Sequence, residues 1–423
     1  MGFYQPIVES VKSKCLSVAS RNHRSLDKPI DLEIDFDDEV KYLRKSMKSL
    51  GIWPFPYRRK WIILCIVSFL LSTVLPLTTK TYFTDWKNER CPQLLTVIFM
   101  EFVTTKVLIF KIHRRNVQGI FEFMKSDWER AKYLTPERKN LMLESVKQSQ
   151  FILKILTVVF ATAFTFTAIR PWLTSYIHQK PITFYADVWH PFTLSPISGV
   201  IMILEITTSL WTVVAFVSLE AYFIILAKHC CAQLKILGST IEQYKGRTLH
   251  NIPAERYNCA CTGCVVTRHV EIMQFFKSIK KSFNLFLSAN LLAIQTYGIV
   301  TVIISFQQTG STSTFFLTIC GIFAILGFST EFLFCDIGDK LRQESLNLGD
   351  AVFNSQWYDF KRTDAKSYLM TMMISKNMPM QLTAGAFFTV SLKLFKECVF
   401  LVLSVFSLFR SINEKKNREL MGL

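Results

Sequence analysis

Residues 259 to 264 read Cys-Ala-Cys-Thr-Gly-Cys, placing three thiols within six positions, with Cys230 and Cys231 earlier and His269 beyond. Thiolate and imidazole are ligands that zinc takes, so a metal centre is the first chemistry to weigh. The spacing matches no standard zinc pattern, and free thiols are the ordinary state in a reducing compartment. The expectation is reduced cysteines with no metal and no cofactor. Catalytic signatures are also missing from the sequence, which has no His-Glu-x-x-His, no phosphate-cradling glycine loop and no nucleophile elbow, and whose seven histidines are scattered. No enzyme is expected.

The remaining residues with chemistry to offer are charges set inside apolar sequence. These are Glu101, Lys106, Glu205, Glu220 and Glu331, followed by Lys393, Lys396 and Glu397 within five positions near the end. Ionisable groups at membrane depth are costly and mark function by default. Lys154 and Glu220 lie near the inner ends of their segments, where snorkelling to the interface is the simpler reading. Glu101 and Lys106, five apart on one helix, face different directions and are not expected to pair. Glu101 and Glu205 are the candidates hardest to explain structurally.

The elements that must carry these charges are membrane helices. The chain has 423 residues, half of them hydrophobic, including 37 Phe. The apolar residues gather into seven windows: Trp61–Leu77, Cys91–Phe110, Phe151–Ile169, Ile197–Leu226, Phe283–Phe306, Ser313–Phe334 and Ala384–Phe409. Each is long enough for ~30 Å of hydrocarbon at about 1.5 Å per residue. The fold class expected is therefore all-α, a polytopic membrane protein with seven transmembrane helices. No signal peptide or myristoylation site is recognised in the polar first 60 residues, so insertion is expected to begin at the first span.

The loops on one side of these windows hold 36 Lys and Arg against 9 on the other, which puts the N-terminus in the cytosol and the C-terminus outside. That is the inverse of a G-protein-coupled receptor. Topology also explains the net charge of +17 without a nucleic-acid partner. On this arrangement only Cys91 nears the outer face, which disfavours an extracellular disulfide framework. Helical patterns such as 136–156 and 270–286 run straight into the third and fifth spans and suggest a second, cytosolic helical layer. Three regions follow: a cytosolic segment 1–60, the first six spans with their cytosolic extensions over 61–334, and a link with the last helix over 335–423.

Phe160, Phe164, Phe166, Phe316 and Phe323 crowd the outer halves of the third and sixth spans, with Thr165, Thr167, Thr208 and Trp211 at similar depth. Singly they read as packing. Together they could line a greasy pocket with few polar anchors. The aromatic-rich second outer loop, 170–196, could form a lid or a structural cap. On the last span Lys393, Glu397, Phe400, Ser404, Ser407, Leu408 and Ser411 fall on one side, and Leu394, Phe395, Val399, Val402, Phe406 and Phe409 largely on the other. Lys393 and Glu397, at i,i+4, are close enough to pair. A stripe of hydroxyls suits water or ions, and several copies around an axis would be needed to close a pore.

The run MPMQLTAGAFFTVSLKLF resembles the most characteristic signature of insect odorant receptors, through Pro379, Leu382, Thr383, Ala384, Gly385, Phe387, Phe388, Ser391, Leu392 and Phe395. FLFCDIGDKLRQESLNLGDAVFNSQWYDF is similar to that family's link between its sixth and seventh spans. The resemblance implies an odorant-gated, nonselective cation channel in the plasma membrane of olfactory neurons, a tetramer formed with a shared coreceptor. It implies a volatile-binding pocket among the second, third, fourth and sixth spans, with Met100, Glu101, Phe160, Phe164, Thr167, Ile201, Glu205, Thr208, Phe316 and Phe323 as its candidates. It also implies a pore gated at Ser404, Leu408, Ser411 and Ile412, and a cytosolic anchor between subunits using Trp357, Tyr358, Thr383, Gly385, Phe387 and Phe388.

Two departures stand out: Lys393 and Lys396 replace residues usually acidic or neutral, and the tail from Ser411 runs past the usual end. The chain also lacks the coreceptor's long second intracellular insertion and is expected to be a tuning subunit. A gustatory-type channel and a G-protein-coupled receptor are the alternatives; neither the gustatory motif in the last span nor an Asn-Pro-x-x-Tyr is present.

Overall fold

A computed structural model describes residues 35–50, 53, 90–178, 195–243, 257–307 and 311–420. Two short helices open it, α1 (Phe36–Glu39) and α2 (Lys41–Ser49), followed by α3 (Arg90–Ile112) and α4 (Arg114–Ala131). Four long helices come next: α5 (Pro136–His178), α6 (Ser195–Glu242), α7 (Thr262–Gln307) and α8 (Ser311–Asn354). Then come α9 (Arg362–Asn377), a two-stranded hairpin of β1 (Thr383–Ala384) and β2 (Phe388–Thr389), and α10 (Leu392–Leu420). The first expected span, 61–77, and the loop 179–194 lie outside the described residues.

Windows two to six each fall within one helix. Segments of α5 to α8 are long and apolar enough to cross a membrane. These four helices have 43 to 48 residues, roughly 65–70 Å at 1.5 Å per residue, about twice the hydrocarbon thickness. Their surplus, together with α4 and α9, forms the second helical layer read from the sequence. Among the four, α6 is the central post: 78% of its apolar window is buried, against 17% for α5. Its near-continuous run of apolar residues is what a helix surrounded by other helices requires.

The seventh window needs correction at its start. Ala384 belongs to a hairpin in which Thr383 pairs with Thr389 and Ala384 with Phe388, and the helix begins only at Leu392. Gly385 turns the hairpin at φ +67°, a conformation that L side chains rarely adopt. The turn is held by the Asn284 amide, which donates to Thr383 Oγ1 and to the Gly385 carbonyl, both at 3.1 Å. α10 then starts cleanly because the Asp339 carboxylate accepts the Leu392 N–H at 2.8 Å.

The layer beyond the membrane windows is tied by charge. Asp127 of α4 accepts from Arg268 of α7 at 2.7 Å and contacts His229 of α6 at 3.2 Å. Glu39 of α1 accepts from the Trp128 indole at 2.6 Å and sits 3.5 Å from the other nitrogen of His229. One buried histidine thus connects the N-terminal segment to the body.

Candidate functional site

The window helices line an apolar cavity of about 470 Å³, including the open space at its mouth. α3 contributes Ile98, Phe99 and Phe102; α5 contributes Phe160; α6 contributes Phe216. α7 supplies Ala293, Ile294 and Tyr297, and α8 supplies Phe323, Ala324 and Gly327. Ala293, Ala324 and Gly327 leave room where larger side chains would close the space, and the rings form its walls, Phe99 lying 6.0 Å from both Phe216 and Phe323. The Tyr297 hydroxyl is the sole oxygen-bearing side chain of this lining, and it bonds to Cys320. Such a cavity selects by shape and offers little to a charged ligand.

Of the residues expected to bind ligand, Phe160 and Phe323 line this cavity. Met100 is buried beside it, Phe164 is half-buried, and Glu101 lies on an exposed face of α3. The hydroxyl of Thr167 donates to the Phe164 carbonyl at 2.8 Å, and the Thr208 carbonyl accepts from Thr212 at 2.9 Å. The side chains of Ile201, Glu205 and Phe316 lie outside the described residues. Sequence reasoning missed Phe99, Phe102, Phe216 and the whole contribution of α7. Phe99 and Phe102, three apart and so on one helix face, were the available signal.

Directly behind the cavity lies a buried ionic cluster. Lys106 of α3 is fully buried and bonds to Glu220 of α6 and to Asn290 Oδ1 of α7, the latter at 2.5 Å. Asn290 Nδ2 donates to Glu331 Oε2 of α8 at 2.6 Å. Four helices therefore meet at one polar chain, and Lys106 and Glu101 do not pair, as expected. The snorkelling assigned to Glu220 is overturned: its side chain is 1% exposed and its partner comes from another helix. A lone buried charge is costly, so the ammonium demands such a partner.

On α10 the polar stripe faces outward. Ser404, Leu408, Ser411 and Ile412 are all exposed, as are Leu401, Leu403 and Phe406, while Leu394 and Cys398 are buried and Phe406 and Phe409 touch Phe306 of α7 at 5.3 and 6.3 Å. Lys393 and Glu397 stand 4.0 Å apart. In the second layer Phe387 is 91% and Tyr358 67% exposed, Phe388 is half-exposed, and Trp357 is partly buried against the core. The three sulfurs of Cys259, Cys261 and Cys264 lie within 4.8 Å of one another. They offer three soft ligands, with no fourth His or carboxylate joining them among the described residues.

The family model described as 7tm Odorant receptor matches residues 87–402. The chain belongs to the 7tm odorant receptor family. Curated relatives include the odorant receptor coreceptors of Aedes aegypti and Drosophila melanogaster, each 27% identical over 33% of this chain. Odorant receptor 13a of Drosophila melanogaster is 26% identical over 36% of it. The receptor spans 29% of the length of the Aedes coreceptor and 39% of odorant receptor 13a. Among solved structures it is similar to the insect olfactory receptor OR5 from Machilis hrabei in complex with eugenol, with a TM-score of 0.68 and 17% identity, covering 89% of this chain and all of that one. A second structure of the same OR5 matches at a TM-score of 0.66. This multi-pass membrane protein thus carries the insect olfactory receptor fold, in a receptor family and not an enzyme class.

Proposed function

We propose that this receptor is the odorant-tuning subunit of a nonselective cation channel, assembled with the odorant receptor coreceptor as a hetero-oligomer, with four subunits around the pore. It acts in the plasma membrane of olfactory neurons with its N-terminus in the cytosol and its C-terminus outside. Residues 1–60 form the cytosolic lead segment, 61–334 the bundle with its pocket, and 335–423 the anchor link and pore helix.

The observation that carries this reading is the pairing of an aromatic, nearly hydroxyl-free cavity with a last helix whose serine stripe faces away from its own subunit. The cavity suits a small apolar volatile, eugenol-like in size, bound by its rings and by Tyr297. Burying ~250 Å² of such a molecule at about 25 cal/mol/Å² gives roughly 6 kcal/mol before association costs. Moving a channel from 1% to 99% open takes about 5.5 kcal/mol of differential affinity, so partial activation over a broad dose range is expected. The stripe of Ser404, Leu408, Ser411 and Ile412 forms the conduit and its gate when copies meet. The exposed Phe387, Phe388 and Tyr358, with Trp357 behind them and the hairpin set by Thr383 and Gly385, form the anchor between subunits.

The test is whole-cell current from cells expressing the receptor with and without the coreceptor, challenged with a panel of volatiles that includes eugenol. Ligand-evoked cation current that requires both subunits and persists when GTP is withheld supports the proposal. A GTP-dependent response from the receptor alone would replace it with G-protein signalling.

A further inference from the structure

The cavity and the root of α10 share an electrostatic neighbour. Phe102 and Phe216 line the cavity, and the Lys106 ammonium sits behind them, 4.3 and 4.9 Å from their ring centroids, with Phe286 closing the third side at 4.4 Å. On its other side the ammonium meets Glu220 and, through Asn290, Glu331. The residue after Glu331 is Phe332, whose ring packs edge-on against Phe395 of α10 at 5.4 Å, next to the buried Leu394. Side-chain contacts, carried over one backbone step from Glu331 to Phe332, thus join the cavity wall to the start of the last helix.

We infer that Lys106 is a positioning residue through which an occupied cavity acts on α10, an inference that rests on the channel reading above. Two of its holds, the Phe102 and Phe216 rings, are surfaces that a ligand must press against. Cation–π attraction depends on where the charge lies over the ring, and in a low-dielectric interior a small displacement of an ion pair changes its energy steeply. A second arrangement is available, because Glu220 keeps its Oε2 buried with no hydrogen-bond partner among the described residues while Oε1 takes the lysine. An ammonium with three donors can redistribute between that oxygen and the Asn290–Glu331 branch. Two packings of one buried cluster, each favouring a different seat for Phe332 on Phe395, are what a two-state coupling element needs.

The experiment compares wild type, Lys106→Met and Glu220→Gln, each expressed at full length with the coreceptor. The probe is whichever volatile of the panel gives the largest wild-type current. Binding is read as the ligand-dependent thermal shift of the purified complex, and gating as basal and maximal current normalised to surface protein. The expected result is an apparent affinity within about threefold of wild type, together with a change of tenfold or more in maximal or basal current. Binding and current falling in parallel, or neither changing, would overturn the inference. If the single variants do not reach the surface, Lys106→Met combined with Glu220→Leu exchanges the pair for apolar side chains, which buried pairs commonly tolerate. The same two outcomes then decide. Absence of any ligand-evoked current from wild type would instead remove the channel reading itself.

Discussion

At the scale of single residues, Tyr297 is the sharpest handle on ligand choice. It is the one residue of an otherwise apolar lining whose side chain carries an oxygen. Tyr297→Phe is expected to lower potency for oxygenated volatiles by about 2- to 10-fold, the equivalent of about 0.5–1.5 kcal/mol for one hydrogen bond, and to leave pure hydrocarbons unchanged. Dose–response curves for matched pairs of ligands would check this, and equal losses for both classes would count against a hydrogen-bonding role. Residue-scale chemistry was also the least legible part of the sequence. Lys106 and Glu220 lie 114 positions apart, and neither helix announces the other, so depth near an interface made snorkelling the natural reading. Phe160 and Phe323 were found because aromatics cluster visibly in their spans. Phe216 looked like one more apolar residue in an apolar helix.

At the scale of elements, the hairpin before α10 depends on two glycines for different reasons. A Cβ on Gly338 of α8 would stand 2.5 Å from the Val390 carbonyl oxygen, a backbone atom with little freedom to yield. Gly338→Ala should therefore cost about 1–3 kcal/mol by overpacking, read as a lower melting temperature and reduced surface expression. Gly385→Ala should cost about 1–2 kcal/mol through its left-handed backbone instead, with the packing intact. Melting temperatures near wild type for both would show that the hairpin is not held as described. Apolar composition extended the last span back to Ala384, yet the run Phe387, Phe388, Thr389 is rich in strand formers flanked by a glycine, a turn signal that hydropathy alone hides. Elsewhere periodicity and length were sufficient, and windows two to six each became one helix.

At the scale of the whole molecule, charge holds the second layer together and sets its acid limit. Burial pushes the Asp127 carboxyl up, but Arg268, the His229 bond and Arg130 outweigh it and hold the group below its ordinary value of 3.8. A depressed carboxyl contributes stability that is present above its unfolded value and is lost as pH falls through the folded one. The melting temperature of the receptor should therefore decline below about pH 4 through this group, and Asp127→Asn should flatten that part of the curve. At neutral pH the same substitution should cost about 3–5 kcal/mol, because Arg268 and His229 lose a buried counter-charge. The outward stripe of α10 belongs to this scale too, since one chain cannot enclose it. Leu408→Ser is expected to raise ligand-free current by several-fold, and unchanged current from surface-expressed channels would place the gate elsewhere. Basic loops and a helix with one polar face carried the expectation of such an assembly, and in the single chain that face is turned outward.

The unbroken length of α7 and α8 has a mechanical consequence. A rod of roughly 65–70 Å tilted by about one degree at one end moves its far end by about 1 Å, enough to reseat a packed ring. Such a lever feels whatever tilts it. Membrane thickness should therefore act as a second input, so that on the channel reading proposed above the same volatile evokes different currents in short-chain and long-chain lipids.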